Sequence, residues 1–358
     1  MRNVTVATIV LALGAGCGGT TSEPAGAAGS AGAGGAPDAL DASAGADASG
    51  QPGGESYSLT IGPIDVAAGG EDTQCIVARL GNLHSIHVGR LRDDLGTASH
   101  HLIVYRTNDT VEKTTPFACT PFVDTLNPAK GAPLAVSQKK SDVVQLPDGV
   151  GITLDATQMI RLELHYVNAT AAPVQAQATA TFDTISDAAY RDEGDFLFIG
   201  NPDIRVPAHA SVTLGPTYFP LPAEYADAKF FAVTGHTHRY GTSVTIATTP
   251  SATGADTPVY DVPGWSWSEP ATVQHDPPFQ VPPSGGFRFT CNWTNTGDAA
   301  VKFGESATDE MCFFWAYYYP SHGAKVCIHT DQYSLGGNAG ISACCPGDAL
   351  CSLITQYL

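Results

Sequence analysis

Two histidines separated by one residue, in the segment Gly-His-Thr-His, are the first candidates for chemistry in this chain. His236 and His238 are two positions apart, and such residues project from the same face of an extended backbone. Two imidazoles on one face can bind a single metal ion with little distortion of the backbone. The spacing therefore predicts a metal site here, and the alternative is a solvent-facing pair without a role.

Three further histidines lie in strand-like segments of the first half of the chain. His165 stands in Leu-Glu-Leu-His-Tyr on the side opposite the apolar residues, which argues against a core histidine. His100 and His101 would point to opposite faces of a regular strand, so joint coordination requires a strand end or a bulge. Glu163 shares the face of His165 and is a candidate for orienting its imidazole.

Met311 is one of only three methionines in the chain and directly precedes Cys312. A thioether is a soft ligand that favours Cu(I), and two imidazoles with one thioether suit a copper ion that changes oxidation state. A methionine is also an ordinary core residue. Met311 is therefore a candidate copper ligand only in combination with the histidines.

Taken together, these motifs resemble the copper type II, ascorbate-dependent monooxygenases. They occur in one order over roughly residues 57 to 320: His-His, Leu-Glu-Leu-His-Tyr, His-Thr-His, and Asp-Glu-Met-Cys with Tyr-Tyr-Pro. The resemblance implies two copper ions per chain. The ligands that it implies are His100, His101 and His165 for the first and His236, His238 and Met311 for the second.

The resemblance also implies an oxidoreductase activity. The copper ion on His236, His238 and Met311 would bind O2 and hydroxylate an aliphatic C–H bond of a small substrate, and the all-histidine copper would store and pass an electron. Ascorbate or another one-electron donor would reduce both ions. The alternative is a non-catalytic copper-binding or storage lipoprotein with the same ligands. Gly-His-Thr-His also occurs in calcineurin-like metallophosphoesterases, but their upstream motifs are missing from this sequence.

The substrate-binding positions differ from those of the peptide-hydroxylating members of this family. Those members bind a substrate carboxylate with an Arg before the His-Thr-His segment and with an Asn and a Tyr after the Met. Here the corresponding positions are Thr234, Phe313 and Trp315. Because the bidentate clamp is lost, we expect a less anionic substrate, aromatic or aliphatic, packed on the two aromatic rings.

The elements that must position these residues are β-strands. Apolar and polar residues alternate over 174–183 and 287–294, and this period of two is typical of half-buried strands. Thirty-eight Gly and 25 Pro supply turns, and no segment has a convincing helical period. The sequence thus predicts an all-β protein, in which Trp265 and Trp267 are expected at the core or edge of a sandwich.

The resemblance implies two antiparallel jelly-roll β-sandwich domains that face each other across a cleft. The polar stretch from 184 to 195 places the boundary near residue 188. The predicted domains are an N-terminal copper-binding sandwich over 56–187 and a C-terminal one, with a cysteine-rich tail, over 188–358.

The N-terminal segment predicts export. Residues 1–17 combine Arg2, an apolar run from Val4 to Leu13 and small residues before Cys17, and so resemble a bacterial lipoprotein signal. We expect either an anchor through lipidated Cys17, facing the periplasm or cell surface, or a secreted protein. Residues 18–55 are almost wholly Gly, Ala, Ser, Pro, Asp and Thr, which predicts a flexible tether. The lipid is the only expected membrane contact.

Eight cysteines remain besides Cys17, and an even set in an exported chain favours disulfides. The resemblance implies the pairs Cys75–Cys119 and Cys291–Cys312. Three pairings stay open for the other four, which are Cys327, Cys344, Cys345 and Cys351. The formal net charge of -18 at pH 7, without a basic stripe, argues against nucleic acid as a partner. The expected partners are a small-molecule substrate, O2 and a reductant.

Overall fold

A computed structural model describes residues 54–120, 131–304, 306, 308–335 and 338–351. The predicted signal, Cys17 and all of the predicted tether except its last two residues lie outside these ranges. The described residues form β-strands and one short 3-10 helix, η1 (Ala223–Tyr225). Within them, no helical segment has the length and apolar character that a membrane crossing requires.

Strands up to residue 193 form two sheets. Their bounds are β1 (Ser56–Val66), β2 (Glu71–Arg79), β3 (Ile86–Leu95), β4 (Ser99–Thr107), β5 (Lys113–Ala118), β6 (Gly131–Ser137), β7 (Ser141–Gln145), β8 (Val150–Leu154), β9 (Met159–Val167), β10 (Val174–Ile185) and β11 (Asp192–Glu193). One sheet has the order β1-β10-β3-β8-β11, with β7 also beside β3, and the other has the order β5-β2-β9-β4-β6. Apolar side chains of both sheets share one core.

Strands from residue 195 onward form three more sheets. Their bounds are β12 (Asp195–Gly200), β13 (Arg205–Val206), β14 (Ala210–Pro220), β15 (Lys229–His236), β16 (Gly241–Thr249), β17 (Thr257–Asp261), β18 (Val273–Phe279), β19 (Gly286–Asn295), β20 (Val301–Lys302), β21 (Phe313–Tyr319), β22 (Lys325–Leu335) and β23 (Asn338–Cys345). The sheet orders are β18-β15-β21-β12-β22-β23, β14-β19-β16-β17 and β13-β20.

The strand pairing confirms the all-β sandwich class. All pairs are antiparallel except β8 with β11 and β12 with β22. The two alternating segments are strands β10 and β19, and Ala178, Phe182, Phe289 and Trp293 of their apolar positions are buried. Among the described strands, pairing never joins residues before 193 to residues after 195. The boundary near residue 188 stays a prediction.

Strand β21 shows how the two halves meet. It is buried on both faces and so lacks an alternating pattern. Phe314 and Tyr318 belong to the core of the second half, whereas Phe313, Trp315 and Tyr317 join the apolar cluster that includes the first half's core. All described residues lie in one compact unit, and this aromatic face of β21 is part of the contact between its halves.

Four disulfides crosslink the described chain. Two of them, Cys75–Cys119 and Cys291–Cys312, are the pairs that the family resemblance implies. The remaining four cysteines pair as Cys327–Cys344 and Cys345–Cys351, which selects one of the three pairings that the sequence leaves open. Such a set of crosslinks is characteristic of exported proteins.

Candidate metal centre

The first histidine set is assembled by two neighbouring strands, β4 and β9. His101 lies directly opposite His165 in their antiparallel register, and the register shifts between Ser99 and His101. This irregularity confirms the expectation of a bulge, because the extra residue, His100, can turn its imidazole toward the other two. The face of β9 that carries His165 is covered by protein, and only 7% of His165 is exposed.

The geometry of this set suits a metal ion. One ligand atom from each of His100, His101 and His165 lies within 4.8 Å of the others, and the Nδ1 atoms of His100 and His101 are 3.3 Å apart. His165 Nε2 hydrogen-bonds the Glu71 carboxylate at 3.1 Å. A carboxylate only accepts, so Nε2 carries the proton and Nδ1 is the nitrogen for a metal.

Burial keeps these imidazoles neutral. It lowers the pKa of His100 to about 4, with a further contribution from His165. The pKa of His101 is well below its usual range, first because of burial and then because of the other histidines around it. Burial also lowers the pKa of His165, and Glu71 opposes that effect. Neutral imidazole is the form that binds metals.

The second histidine set lies at the end of β15. The rings of His236 and His238 are 5.1 Å apart and both are buried. His238 Nδ1 donates a hydrogen bond to the Asp309 carbonyl oxygen at 3.2 Å, and His236 Nδ1 lies 2.8 Å from the Gln138 side-chain oxygen. Burial lowers the pKa of His238 to about 3 and that of His236 well below its usual range.

Met311 follows directly after Glu310, whose side chain contacts the backbone of His238. His236, the last residue of β15, is paired with Phe313, the first residue of β21. The Glu310 carboxylate accepts hydrogen bonds from the backbone N–H of His238 at 2.9 Å and of Tyr240 at 2.8 Å. Met311 is 1% exposed, and the disulfide of the next residue, Cys312, crosslinks the segment before β21 to β19.

The two histidine sets are close enough to interact. His236 and His238 both contribute to the lowered pKa of His101. The Trp267 ring, from the second half, lies 5.3 Å from the His100 ring. Gln138, which bonds His236, belongs to the first half. Each half therefore contributes a side chain to the other half's histidines.

The predicted substrate residues lie on the same sheet face as His236. Thr234 is paired with Trp315, and His236 with Phe313, so these side chains project to one side. The Trp315 and His236 rings are 5.9 Å apart, and Phe313 stacks on Phe198. Phe313, Trp315 and Thr234 are each at most 1% exposed, and Thr234 hydrogen-bonds Thr272.

Sequence reasoning missed three residues of this centre, Glu71, Gln138 and Glu310, and one neighbouring residue outside it, Trp267, whose ring packs against His100. For Trp267, the sequence predicts only a place in a sandwich core or edge. Glu310 had a signal in the sequence, because an acidic residue next to a ligand is a candidate for orienting it. The other three had none, since they are distant in sequence from the residues that they contact. Glu163 is buried and accepts a hydrogen bond from Tyr105, and its role toward His165 stays a prediction.

The donor types of both sets fit copper, and the three histidines of the first set are also close enough to share one metal ion. Neutral imidazoles tolerate both Cu(I) and Cu(II), and a thioether adds preference for Cu(I). With its cysteines in disulfides, the described chain offers few thiolates to compete for Cu(I). The first set would hold a metal by three histidines. The second pair offers two imidazoles, and Met311 as its third ligand stays a prediction.

Comparisons with known proteins bear on the second half. Residues 217–336 match the family model of the copper type II ascorbate-dependent monooxygenase C-terminal domain. This segment contains His236, His238 and Met311 and excludes the first histidine set. A comparison with curated proteins finds no match.

Similar solved structures include three distant ones. Recombinant peptide:N-glycanase F is 12% identical, with 80% of this chain and 99% of that chain covered and a TM-score of 0.29. The infectious bursal disease virus Gx strain structure is 10% identical, with 80% and 74% covered and a TM-score of 0.18. A tail fiber protein from an E. coli phage is 7% identical, with 75% and 36% covered and a TM-score of 0.15. All three scores are too low to inform fold or function.

The family match is the finding that indicates a class of function, and the histidine group at 100, 101 and 165 could hold a metal ion. Over residues 217–336 the chain matches the C-terminal domain of the copper type II ascorbate-dependent monooxygenases, and this match supports a copper- and ascorbate-dependent monooxygenase kind of function.

Proposed function

We propose that the protein is a monooxygenase that hydroxylates an aliphatic C–H bond of a small molecule, using two copper ions, O2 and a one-electron reductant such as ascorbate. The observation that carries the proposal is the buried cluster of His100, His101 and His165 beside a second histidine pair that lies inside the family match. The storage alternative would use the same ligands, and only turnover with O2 and a reductant distinguishes it from the monooxygenase.

The residues of the two sets have distinct roles in this proposal. Copper at these sets would supply one-electron transfer and O2 activation. His100, His101 and His165 form the all-nitrogen set, and Glu71 fixes the tautomer of His165. His236, His238 and Met311 form the catalytic set, and Glu310, next to Met311 in the chain, accepts a hydrogen bond from the His238 backbone N–H. The buried rings of Phe313 and Trp315 limit the access of water to His236.

The proposed substrate is weakly anionic or neutral. Phe313 and Trp315 form an aromatic wall next to His236, and Thr234 stands where a cationic clamp would be needed for a carboxylate. Both rings are at most 1% exposed, so a substrate with an aromatic or aliphatic body would have to displace the side chains that cover them in order to pack there. Hydroxylation of a glycine-extended peptide at ordinary rates would contradict this part of the proposal.

We also propose that the mature chain begins at a lipidated Cys17 and is tethered to a membrane on the exported side. The signal-like segment and the disulfide content support this placement. Mass spectrometry of the chain isolated from membranes tests it directly. A diacylglyceryl group on Cys17 is expected, and an unmodified N-terminus downstream of Cys17 in the medium would show secretion instead.

The experiment that tests the function begins with metal content. The full chain is loaded with copper, dialysed exhaustively and measured for copper and zinc per chain. Two copper ions are expected. Ascorbate-dependent O2 consumption is then recorded with a panel of neutral aromatic and aliphatic compounds, and product formation is followed by mass spectrometry. Two copper ions without turnover would favour storage, and a preference for zinc would make the proposal wrong.

A further inference from the structure

Gln138 is a residue of the first half that contacts a ligand of the second set. It follows directly after strand β6, is 5% exposed, and its side-chain oxygen lies 2.8 Å from His236 Nδ1. The two residues are 98 positions apart in the chain. This hydrogen bond therefore joins the two sandwiches at the candidate metal centre.

The fold of the first half determines where Gln138 lies. The Ser137 hydroxyl, one residue earlier, donates a hydrogen bond to the buried Asp93 carboxylate of β3. Two residues later, the Lys140 carbonyl accepts a hydrogen bond from the Leu95 backbone N–H at 2.8 Å. The backbone at Gln138 is thus held between two anchored points, and the fold of the first half sets where the Gln138 side chain begins.

The chemistry of the contact fixes the state of the imidazole. An amide oxygen only accepts hydrogen bonds, so the proton between the two groups belongs to His236 Nδ1. A neutral imidazole with its proton on Nδ1 carries its lone pair on Nε2. The same rule selects Nε2 of His238, whose Nδ1 donates to Asp309.

We infer that Gln138 is a positioning residue for the second metal set: it holds His236 in the Nδ1–H tautomer and orients its Nε2 toward the metal. The inference rests on the proposed function in taking His236 as a copper ligand. It assigns part of the second site to the first sandwich. A C-terminal sandwich alone would consequently lack one of the groups that orient its ligands.

A second contact supplies the control for this inference. Trp267, from the second half, packs against His100 of the first set. This contact also joins the two halves, and it involves neither Gln138 nor His236. Trp267→Leu should therefore loosen the contact between the halves while leaving the Gln138–His236 pair in place. A change that comes only from a weaker contact between the two halves will appear in both Trp267→Leu and Gln138→Leu. A change that appears in Gln138→Leu alone comes from the lost hydrogen bond to His236.

The first test needs no metal. The metal-free full chain is labelled with 15N-histidine, and long-range 1H–15N spectra report the tautomer of each ring, with His236→Ala identifying the His236 signals. We expect the Nδ1–H form of His236 in the parent, in Gln138→Glu, which keeps an acceptor, and in Trp267→Leu. Gln138→Leu should lose it. An unchanged His236 tautomer in Gln138→Leu would overturn the inference.

The second test measures Cu(I) affinity at the second set alone, in a His101→Ala background, by competition with a Cu(I) chelator. Gln138→Leu should weaken binding by about 10- to 100-fold, the usual effect of losing a residue that orients a metal ligand, while Gln138→Glu and Trp267→Leu stay within a few-fold of the parent. Equal affinity in Gln138→Leu would overturn the inference. If the parent itself binds no copper, the proposed function fails, and the tautomer spectra still decide the role of Gln138.

Discussion

The carboxylate of Glu310 accepts a hydrogen bond from the backbone N–H of His238 at 2.9 Å. The same carboxylate accepts hydrogen bonds from the Tyr240 backbone N–H and from the Trp293 indole at 2.7 Å. Glu310 is completely buried, and burial is the main cause of its raised pKa. One side chain thus joins the segment just before Met311 to the backbone of His238 and Tyr240 and to Trp293.

Replacing Glu310 tests how much these hydrogen bonds contribute to the stability of the fold. Glu310→Gln keeps one acceptor oxygen and turns an amide NH2 toward a donor, so at least one buried N–H loses its partner. We expect a loss of about 1–3 kcal/mol in the free energy of unfolding, measured by urea denaturation. Asp309→Asn is the matched control, because its backbone oxygen and not its side chain contacts His238. An equal loss in both variants would make the Glu310 interpretation wrong.

Met311→Ile should remove the copper ion of the second set under reducing conditions. Isoleucine keeps the apolar volume but has no sulfur, and a thioether is the ligand that favours Cu(I). We expect copper to fall from two ions to one per chain and ascorbate-dependent hydroxylation to fall below detection. Met159→Ile, a buried methionine at the start of β9, should keep both ions. Retained activity in Met311→Ile would remove Met311 from the site.

Glu71→Ala should weaken copper binding at the first set by about 10-fold or more, because carboxylates that orient a ligating histidine have effects of this size. Glu71→Gln keeps an acceptor oxygen for His165 Nε2–H and should restore most of the affinity. The measurement is Cu(II) competition in a Met311→Ile background. Glu163→Gln tests the role predicted from the sequence: a larger loss there than in Glu71→Ala would assign the orientation of His165 to Glu163.

The Cys291–Cys312 disulfide should matter for both stability and copper. It closes 21 residues, and Cys327–Cys344 closes 17, so removing either pair by Cys→Ser changes should cost about 3 kcal/mol in the free energy of unfolding. Only the first crosslinks the strand next to Met311. Of the two variants, only the one that lacks Cys291–Cys312 should bind Cu(I) more weakly at the second set. Equal copper affinities in the two variants would contradict this local role.

Asp93 should make the unfolding free energy depend on pH. Burial raises the pKa of Asp93 to about 7; the Ser137 hydrogen bond opposes this, and Asp142 adds to it. The folded state thus holds a proton that the unfolded state releases above its ordinary pKa of 3.8. The contribution of Asp93 is full below pH 3.8 and decreases as pH rises to about 7, with a slope of at most about 1.4 kcal/mol per pH unit.

Denaturant titrations between pH 4 and 8 check this dependence, which Asp93→Asn should remove. Asp183 is the control, because its pKa is lowered whereas that of Asp93 is raised. Despite the opposing effect of burial, hydrogen bonds from Arg92 and Arg90 lower its pKa to about 2, so its contribution is present above pH 3.8 and is lost as pH falls toward 2. Asp183→Asn should leave the slope between pH 4 and 7 unchanged. A slope that persists in Asp93→Asn would assign the dependence to another group.

Much of the first metal set could be predicted from residue types and strand periodicity. The position of His165 opposite the apolar side of its strand, and the need for a bulge at His100 and His101, follow from the two-residue period of a strand. Periodicity does not say what covers a polar face. His165 is 7% exposed and contacts Glu71, His100 and His101, so the side of the strand opposite its apolar residues is covered as well.

The sequence alone determined the kinds of donor, their order along the chain, the β-class and an even set of cysteines, because each depends on residue type and local spacing. Only the tertiary structure decided the long-range pairs. Gln138 with His236, Glu71 with His165 and Trp267 with His100 join residues far apart in the chain. Which strands become neighbours, and which sheet faces another, depends on the packing of whole sandwiches, and no local pattern encodes that choice.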